Sequence, residues 1–208
     1  MISMVGSLNE SQLNYARNMD ASINDIDSFV RQMLDRNRLE NPANYEMKVV
    51  NLDVLLKETV ERIVPYTQQQ NVHIYLERNE EMHSRQIEID PQLFSQAIFS
   101  LLENAVQHNH VGGEVRINVE EQSDSFVVCI ADNGPGISAV DVNRIFMDPS
   151  VLELHGESPR IRMGVQLAKS IIDRHSGEIW VKSKLGKGSQ FYIRIPRFSP
   201  SKSRNSSA

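Results

Sequence analysis

Cysteine occurs once in this chain, at Cys129, which excludes an internal disulfide framework and a cysteine-based zinc site. The thiol sits in the apolar run Phe126-Val127-Val128-Cys129-Ile130, the setting of a buried, inert sulfur. No stretch approaches the roughly 18 consecutive apolar residues that a membrane span needs. The first ten residues lack the basic start and apolar run of a signal peptide. A cytoplasmic, reducing location with no direct membrane span is therefore expected. Positive charge is also in deficit, since 22 Lys and Arg against 27 Asp and Glu leave a net −5. That balance argues against a general nucleic-acid or anionic-membrane binder. What remains is ordinary globular composition, 40% hydrophobic and 24% charged, enough to build a core. The 208 residues fit one α/β domain of about 150 residues plus a smaller element.

The pattern along the chain divides near residue 45. Over residues 8–39, Ala16, Met19, Ile23, Ile26, Val30 and Met33 recur at alternating steps of three and four, an a/d seam. Such a seam predicts one long helix that packs on another helix, including a homodimer through residues 8–39; folding back onto its own domain is the alternative. Asn41-Pro42 breaks it. Asn51 or Asp53 then caps a helix through Leu55, Val60 and Ile63, with an end expected near Pro65. Strands are predicted over 72–76 and 86–89, and Asp90-Pro91 opens the next helix with Asp as N-cap and Pro in the first turn. Strands over 115–119 and 125–131 pair across a polar hairpin. A loop over 133–161 leads to a helix over 165–175, and two strands, 178–183 and 190–195, close the domain. The Ser-rich, basic tail 199–208 reads as disordered. Helices on one side of a mixed, mostly antiparallel sheet give a two-layer α/β sandwich over 46–198.

Four constellations carry chemistry. On the second predicted helix of this domain, Ser100, Asn104, Gln107 and His108 fall at i, i+4, i+7 and i+8 and share one face. A polar stripe on a helix with core-like neighbours suggests a cleft, and an Asn carboxamide oxygen suits Mg²⁺, which keeps waters and substrate phosphates as its other ligands. A solvated helix face is the bland alternative. The second constellation is Ile130-Ala131-Asp132-Asn133-Gly134-Pro135-Gly136-Ile137. Here a carboxylate able to accept from an exocyclic amine ends an apolar strand, beside glycines that permit close backbone approach. Third, Gly164 stands where the helix over 165–175 is expected to begin, where free N–H groups and the positive dipole end favour phosphate. Fourth, Gly186-Lys187-Gly188-Ser189-Gln190-Phe191 is a glycine hairpin that carries a hydroxyl into the last strand.

In that order, over about a hundred residues, these elements resemble the catalytic and ATP-binding domain of sensor histidine kinases, a branch of the GHKL superfamily. The resemblance implies the Bergerat-type α/β sandwich, ATP and Mg²⁺ as cofactors, and transfer of a γ-phosphoryl group to histidine in two-component signalling. It implies that Asn104 binds Mg²⁺ and that Asp132 accepts from the adenine amine, while Gln107 and His108 stand as nucleotide-binding candidates where relatives often carry Lys and an aromatic residue. Gly134, Gly136 and Ile137 would shape the adenine-side loop, Gly164 would open a helix toward the phosphates, and Gly186, Gly188 and Ser189 would close the adenine side. Ile145-Phe146 resembles the family's phenylalanine box. Residues 8–40, ending Leu34-Asp35-Arg36-Asn37-Arg38-Leu39-Glu40, resemble the second helix of the dimerisation and phosphotransfer hairpin. The partners implied are a histidine-bearing acceptor helix and a response-regulator receiver domain.

Three departures bear on activity. The family's Gly-x-Gly-x-Gly lid has Arg160 and Arg162 in place of its first two glycines. Those arginines either contact phosphate as charge-assisted donors or belong to a solvated basic loop. Ser100 stands where relatives carry Asn or Glu, and a serine cannot serve as general base for water, so a gyrase-like hydrolase is disfavoured. Finally, none of His73, His83, His108, His110, His155 and His175 has the acidic, Arg-Thr-Pro-like setting of the phosphoacceptor. The chain is then the catalytic portion of a kinase whose acceptor lies elsewhere, or a degenerate nucleotide-binding or scaffolding module. An anti-sigma-type serine kinase is a third reading, disfavoured by the helix preceding the domain.

Overall fold

The computed structural model describes residues 45–77, 85–147 and 159–199, with the backbone alone for Gln69 and for 159–163. The seam over 8–39, the side chains of Arg160 and Arg162, and the tail beyond Ser199 lie outside the described residues. Strand β1 (Lys48–Asn51) leads directly into helix α1 (Leu52–Gln70), capped by Asn51, whose Oδ1 accepts from the N–H groups of Asp53 and Val54. The helix does not end near Pro65. Leu52, Leu55, Leu56, Thr59, Ile63 and Thr67 keep one buried stripe on both sides of the proline. Losing one N–H to Pro65 costs less than stripping the last turn from the core, so α1 runs on until Asn71 adopts left-handed φ 52° and its N–H bonds to the Thr67 carbonyl.

After β2 (His73–Leu76) and β3 (Gln86–Ile89), Asp90 caps helix α2 (Pro91–Gln107) as the sequence indicates. Asp90 Oδ1 accepts from Gln92 N and Leu93 N at 3.0 and 3.1 Å, with Pro91 at the first helical position. Strands β4 (Glu114–Glu121) and β5 (Ser125–Asp132) follow, then the single turn α3 (Ala139–Val142), helix α4 (Pro159–Arg174), and strands β6 (Glu178–Ser183) and β7 (Ser189–Pro196). Five strands form one sheet in the order β2-β4-β5-β7-β6, where only the β2–β4 pair is parallel. β1 and β3 make a separate antiparallel pair, and β1 is an element the sequence pattern did not signal.

Alternation decides which sheet face is covered. Val115, Ile117, Phe126, Val128, Ile130, Phe191, Ile193 and Ile195 point to one side and are buried with the apolar stripes of α1, α2 and α4. Helix α2 packs between α1 and α4. The opposite sheet face carries the stacked pair Trp180 and Tyr192, with ring centroids 5.2 Å apart, and cations over their rings. This is the two-layer sandwich with a mixed, mostly antiparallel sheet that the pattern predicts. Among the described residues, no helix is long and apolar enough to cross a membrane.

Candidate functional site

A cleft opens where the last turns of α2 meet the end of β5 and the start of β7. Its walls are Asn104, Ala105 and His108 from α2, Asp132, Pro135, Gly136 and Ile137 from β5 and the loop beyond it, and Ser189 and Phe191 from β7. The helical period sets Asn104 and His108 one turn apart on the same side, while Ser189 and Phe191 share a strand face by the period of two. Six of the residues singled out in the sequence therefore line one cavity: Asn104, His108, Asp132, Gly136, Ile137 and Ser189. Gln107 is exposed and is not among the lining residues.

Asp132 is held rigidly. Its Oδ1 accepts from Gly134 N at 2.9 Å and from Ser189 N at 3.1 Å, joining the loop after β5 to the start of β7. Burial pushes its carboxyl above the usual carboxylate range, and the Gly134 and Ser189 donors partly oppose that shift. His108 is lowered from the ordinary imidazole value because the surrounding protein desolvates its charged form, although the residue retains an exposed edge. Asn133 points away from the cleft and fastens the loop to β4, its Oδ1 accepting from Glu114 N at 2.7 Å.

The glycines act mainly on protein rather than on open space. A Cβ on Gly188 (φ 80°) would collide with the Asp132 carbonyl, and one on Gly136 (φ 73°) with the Lys184 carbonyl. These two positions let the loop after β5 lie directly on the β6–β7 hairpin, which Gly186 N reinforces by donating to Pro135 O at 2.7 Å. A Cβ on Gly134 would stand 2.9 Å from His108 O, so this residue brings the loop against the end of α2. Ser183, which the sequence pattern does not single out, is the joint of this assembly. Its hydroxyl accepts from Ile137 N at 2.7 Å, donates to Gly188 O at 2.8 Å, and lies 3.0 Å from Ser189 Oγ. Only the strand register, Ser183 opposite Ser189, reveals it. Phe191, Pro135 and Ala105 are further lining residues that lie within the motifs but carry no signal of their own in the sequence.

Gly164 differs from expectation. Helix α4 begins at Pro159, five residues earlier than the glycine. Only the first four N–H groups of a helix are free of the ladder, so an amide in the second turn is not an open phosphate donor. The residue serves close packing instead: a Cβ there would stand 3.1 Å from Asn104 Nδ2 and 3.7 Å from Ser100 Cβ.

Comparison with known proteins fits this geometry. Residues 89–199 match the family model described as Histidine kinase-, DNA gyrase B-, and HSP90-like ATPase. The chain is 30% identical over 181 residues to the Adaptive-response sensory kinase SasA of Synechococcus sp. (strain JA-2-3B'a(2-13)), a match covering 86% of this chain and 46% of that protein. It is 30% identical over 174 residues to the Alginate biosynthesis sensor protein KinB of Pseudomonas aeruginosa, covering 84% of this chain and 28% of KinB. The chain thus spans less than half the length of either relative. In fold it resembles the histidine kinase ThkA, crystallised with the response regulator protein TrrA, at a TM-score of 0.67 and 20% identity over 92% of this chain and 53% of that one. With the family match spanning more than half of the chain, and the Asn104 helix, the Asp132 loop and the glycine hairpin converging on one cleft, this chain belongs to the histidine kinase-, DNA gyrase B- and HSP90-like ATPase family.

Proposed function

We propose that the chain is the ATP-binding catalytic portion of a cytoplasmic two-component histidine kinase, which binds Mg²⁺·ATP and passes the γ-phosphoryl to a histidine on another helix. The observation that carries the reading is the carboxylate of Asp132. Its two backbone donors converge on Oδ1, which leaves the other oxygen as the edge that would face a base amine. Ile137 and Phe191 offer apolar surface to a purine face, and Gly136 and Ser189 complete the same end of the cleft. Gly186 and Gly188 act by holding that end together.

Asn104 stands on the helix wall of the cleft, buried to 9% exposure, with its Nδ2 unpartnered among the described residues. That orphan atom is a donor and cannot ligate a cation, so Oδ1 is the atom of this carboxamide suited to a metal. No cluster of three His, Cys, Asp or Glu side chains among the described residues could hold a metal unaided. That absence suits Mg²⁺, which binds through one or two protein oxygens and the substrate's phosphates. When bound, the ion would neutralise charge on the triphosphate; Asn104 Oδ1 would hold it, with His108 one turn further along the same wall. In the transfer, the bond from the γ-phosphorus to the β-bridging oxygen breaks, a bond to an imidazole nitrogen forms, and ADP leaves. Positioning and electrostatics carry most of such a reaction. ThkA, bound to a response regulator, supports a receiver domain as downstream partner. The a/d seam over 8–39 supports a homodimer.

A second reading, a nucleotide-binding or scaffolding module without transfer, is favoured by the position of Gly164 inside α4 and against Asn104. Two measurements separate them. Calorimetric titration with a non-hydrolysable ATP analogue should give micromolar, magnesium-dependent binding. Addition of a histidine-bearing acceptor helix with labelled ATP should then give an acid-labile phosphohistidine. Binding without transfer supports a nucleotide-binding module, and no binding with or without magnesium sinks the kinase reading and leaves a scaffold.

A further inference from the structure

Two side chains on α2 leave polar atoms buried and, among the described residues, unpartnered, and they stand one turn apart. They are Ser100 Oγ, on a residue 1% exposed, and Asn104 Nδ2. A buried serine in a helix ordinarily returns its hydroxyl to the carbonyl four residues back, and Ser100 does not. The same patch of α4 covers both: the missing Cβ of Gly164 would lie 3.1 Å from Asn104 Nδ2 and 3.7 Å from Ser100 Cβ. The contact between the two helices thus holds one amide donor without an acceptor and one hydroxyl oxygen able to accept.

We infer that Ser100 is a positioning residue for Asn104: its Oγ accepts the Asn104 amide N–H when the site is loaded, which turns Asn104 Oδ1 toward the metal. Positions i and i+4 on a helix are neighbours, so a side-chain rotation suffices and the backbone need not move. The bond satisfies both orphans at once, and a carboxamide anchored by its nitrogen can present only its oxygen. A metal ligand whose other end is fixed by a second partner is the common arrangement in metal sites. Serine contributes here as a neutral acceptor without becoming a ligand or a base. Glycine at position 164 leaves room for the rotation, since any larger residue would press on the carboxamide.

The inference rests on the proposed magnesium-dependent nucleotide binding, and one experiment separates the two. Calorimetry on the full chain measures the affinity of an ATP analogue with magnesium and with EDTA, for the parent, Ser100→Ala and Ser100→Thr. Ser100→Ala should lose about tenfold in affinity with magnesium, the scale of one hydrogen bond to a ligand-bearing side chain, and nothing in EDTA. Ser100→Thr retains the hydroxyl and should recover most of the loss. Equal affinities of Ser100→Ala and the parent in magnesium would overturn the inference while leaving the proposed function intact. So would an equal loss in both buffers, which is the mark of a merely structural role. A parent that binds the analogue without magnesium dependence removes both. Thermal melting of each variant without nucleotide shows whether it is folded. If Ser100→Ala melts well below the parent, Ser100→Cys, which keeps the size but weakens the acceptor, takes its place with the same expected loss.

Discussion

The backbone N–H of Asp90 donates to Nε2 of His175 at 2.9 Å, so the cap of the Asn104 helix is held by the residue just past α4. The other ring nitrogen, Nδ1, lies 2.7 Å from Ile171 O and donates to it, which fixes the neutral tautomer. Phe94 meets the ring edge-on at 5.9 Å. Asp90 is also where the chain enters the domain, since its Oδ2 accepts from Glu46 N at 3.1 Å. One neutral imidazole thus joins the end of α4 to the helix that carries Asn104.

That imidazole predicts a pH dependence with a defined sign. Burial lowers the His175 pKa, with the Ile171 bond and the Asp90 carboxylate opposing part of the shift. The unfolded histidine takes up its proton near pH 6.5, before the folded one does. Between the two values the unfolded chain binds more protons, so the stabilisation is complete above about pH 6.5 and declines as pH falls toward the folded pKa. Urea unfolding at about pH 7.5 and about pH 5.5 should show this loss, and His175→Gln should reduce the difference between the two. His108 contributes with the same sign, so the slope shrinks without vanishing. A variant with the parent's full slope would assign the titration elsewhere.

Ser176 and Gly177 should respond in opposite directions. Ser176 sits at φ 55°, a left-handed conformation in which a Cβ is strained. Ser176→Gly should stabilise the domain by roughly 0.5–1 kcal/mol once the added freedom of the unfolded chain is deducted. Gly177 has its missing Cβ 2.7 Å from Arg194 O and 2.8 Å from Ile172 Cγ2. Gly177→Ala should therefore cost about 1–3 kcal/mol through overpacking of the α4–β6 turn on β7. Midpoints of thermal or urea unfolding check both.

How much of the fold is legible in the sequence depends on whether the cause is local. Asp90-Pro91 announces α2 because capping is a matter of adjacent residues. The alternation of Phe126, Val128 and Ile130 announces a strand with one face in the core. Pro65 misleads because its local cost is real but the buried stripe continuing to Thr67 is larger, and that stripe needs its neighbours in space. Strand β1 has only Val49 and Val50 to signal it, and its pairing partner β3 lies far along the chain, Val49 opposite Glu88. At the site, residue types are readable while partners are not: Gly136 and Gly188 stand out as glycines, yet nothing in the sequence shows that they serve loop-on-hairpin contact. Nor does it show Ser183, whose role exists only in the strand register.

The hairpin glycines offer a contrast within three residues. Gly186 (φ 75°) faces open space, with nothing within 4 Å of where a Cβ would stand, whereas Gly188 (φ 80°) would drive its Cβ into the Asp132 carbonyl. Gly186→Ala should cost only the conformational strain, about 1–2 kcal/mol, and leave nucleotide affinity nearly intact. Gly188→Ala must also push the hairpin from the loop after β5, breaking the bond from Ser189 N to Asp132 Oδ1. It should lower stability further and abolish nucleotide binding. Equal affinities in the two variants, measured by calorimetry, would contradict the role given to the hairpin.

The sharpest test of the base site is a change of preference at Asp132. Oδ1 is committed to two backbone donors, Gly134 N and Ser189 N. An asparagine at this position must keep its oxygen on those donors, because its NH₂ group cannot accept from them. Asp132→Asn would then present NH₂ to the cleft, a donor where the parent offers an acceptor. An adenine amine facing it is left unpaired, so affinity for an ATP analogue should fall by about 1–3 kcal/mol, roughly 5- to 150-fold. A purine bearing a carbonyl in place of that amine supplies the matching acceptor, and the inosine analogue should bind the variant better than the parent. Asn104→Ala, on the helix wall of the cleft, should lose magnesium-dependent affinity for both bases alike. If Asp132→Asn instead weakened the two analogues equally, the carboxylate would be holding the loop without reading the base.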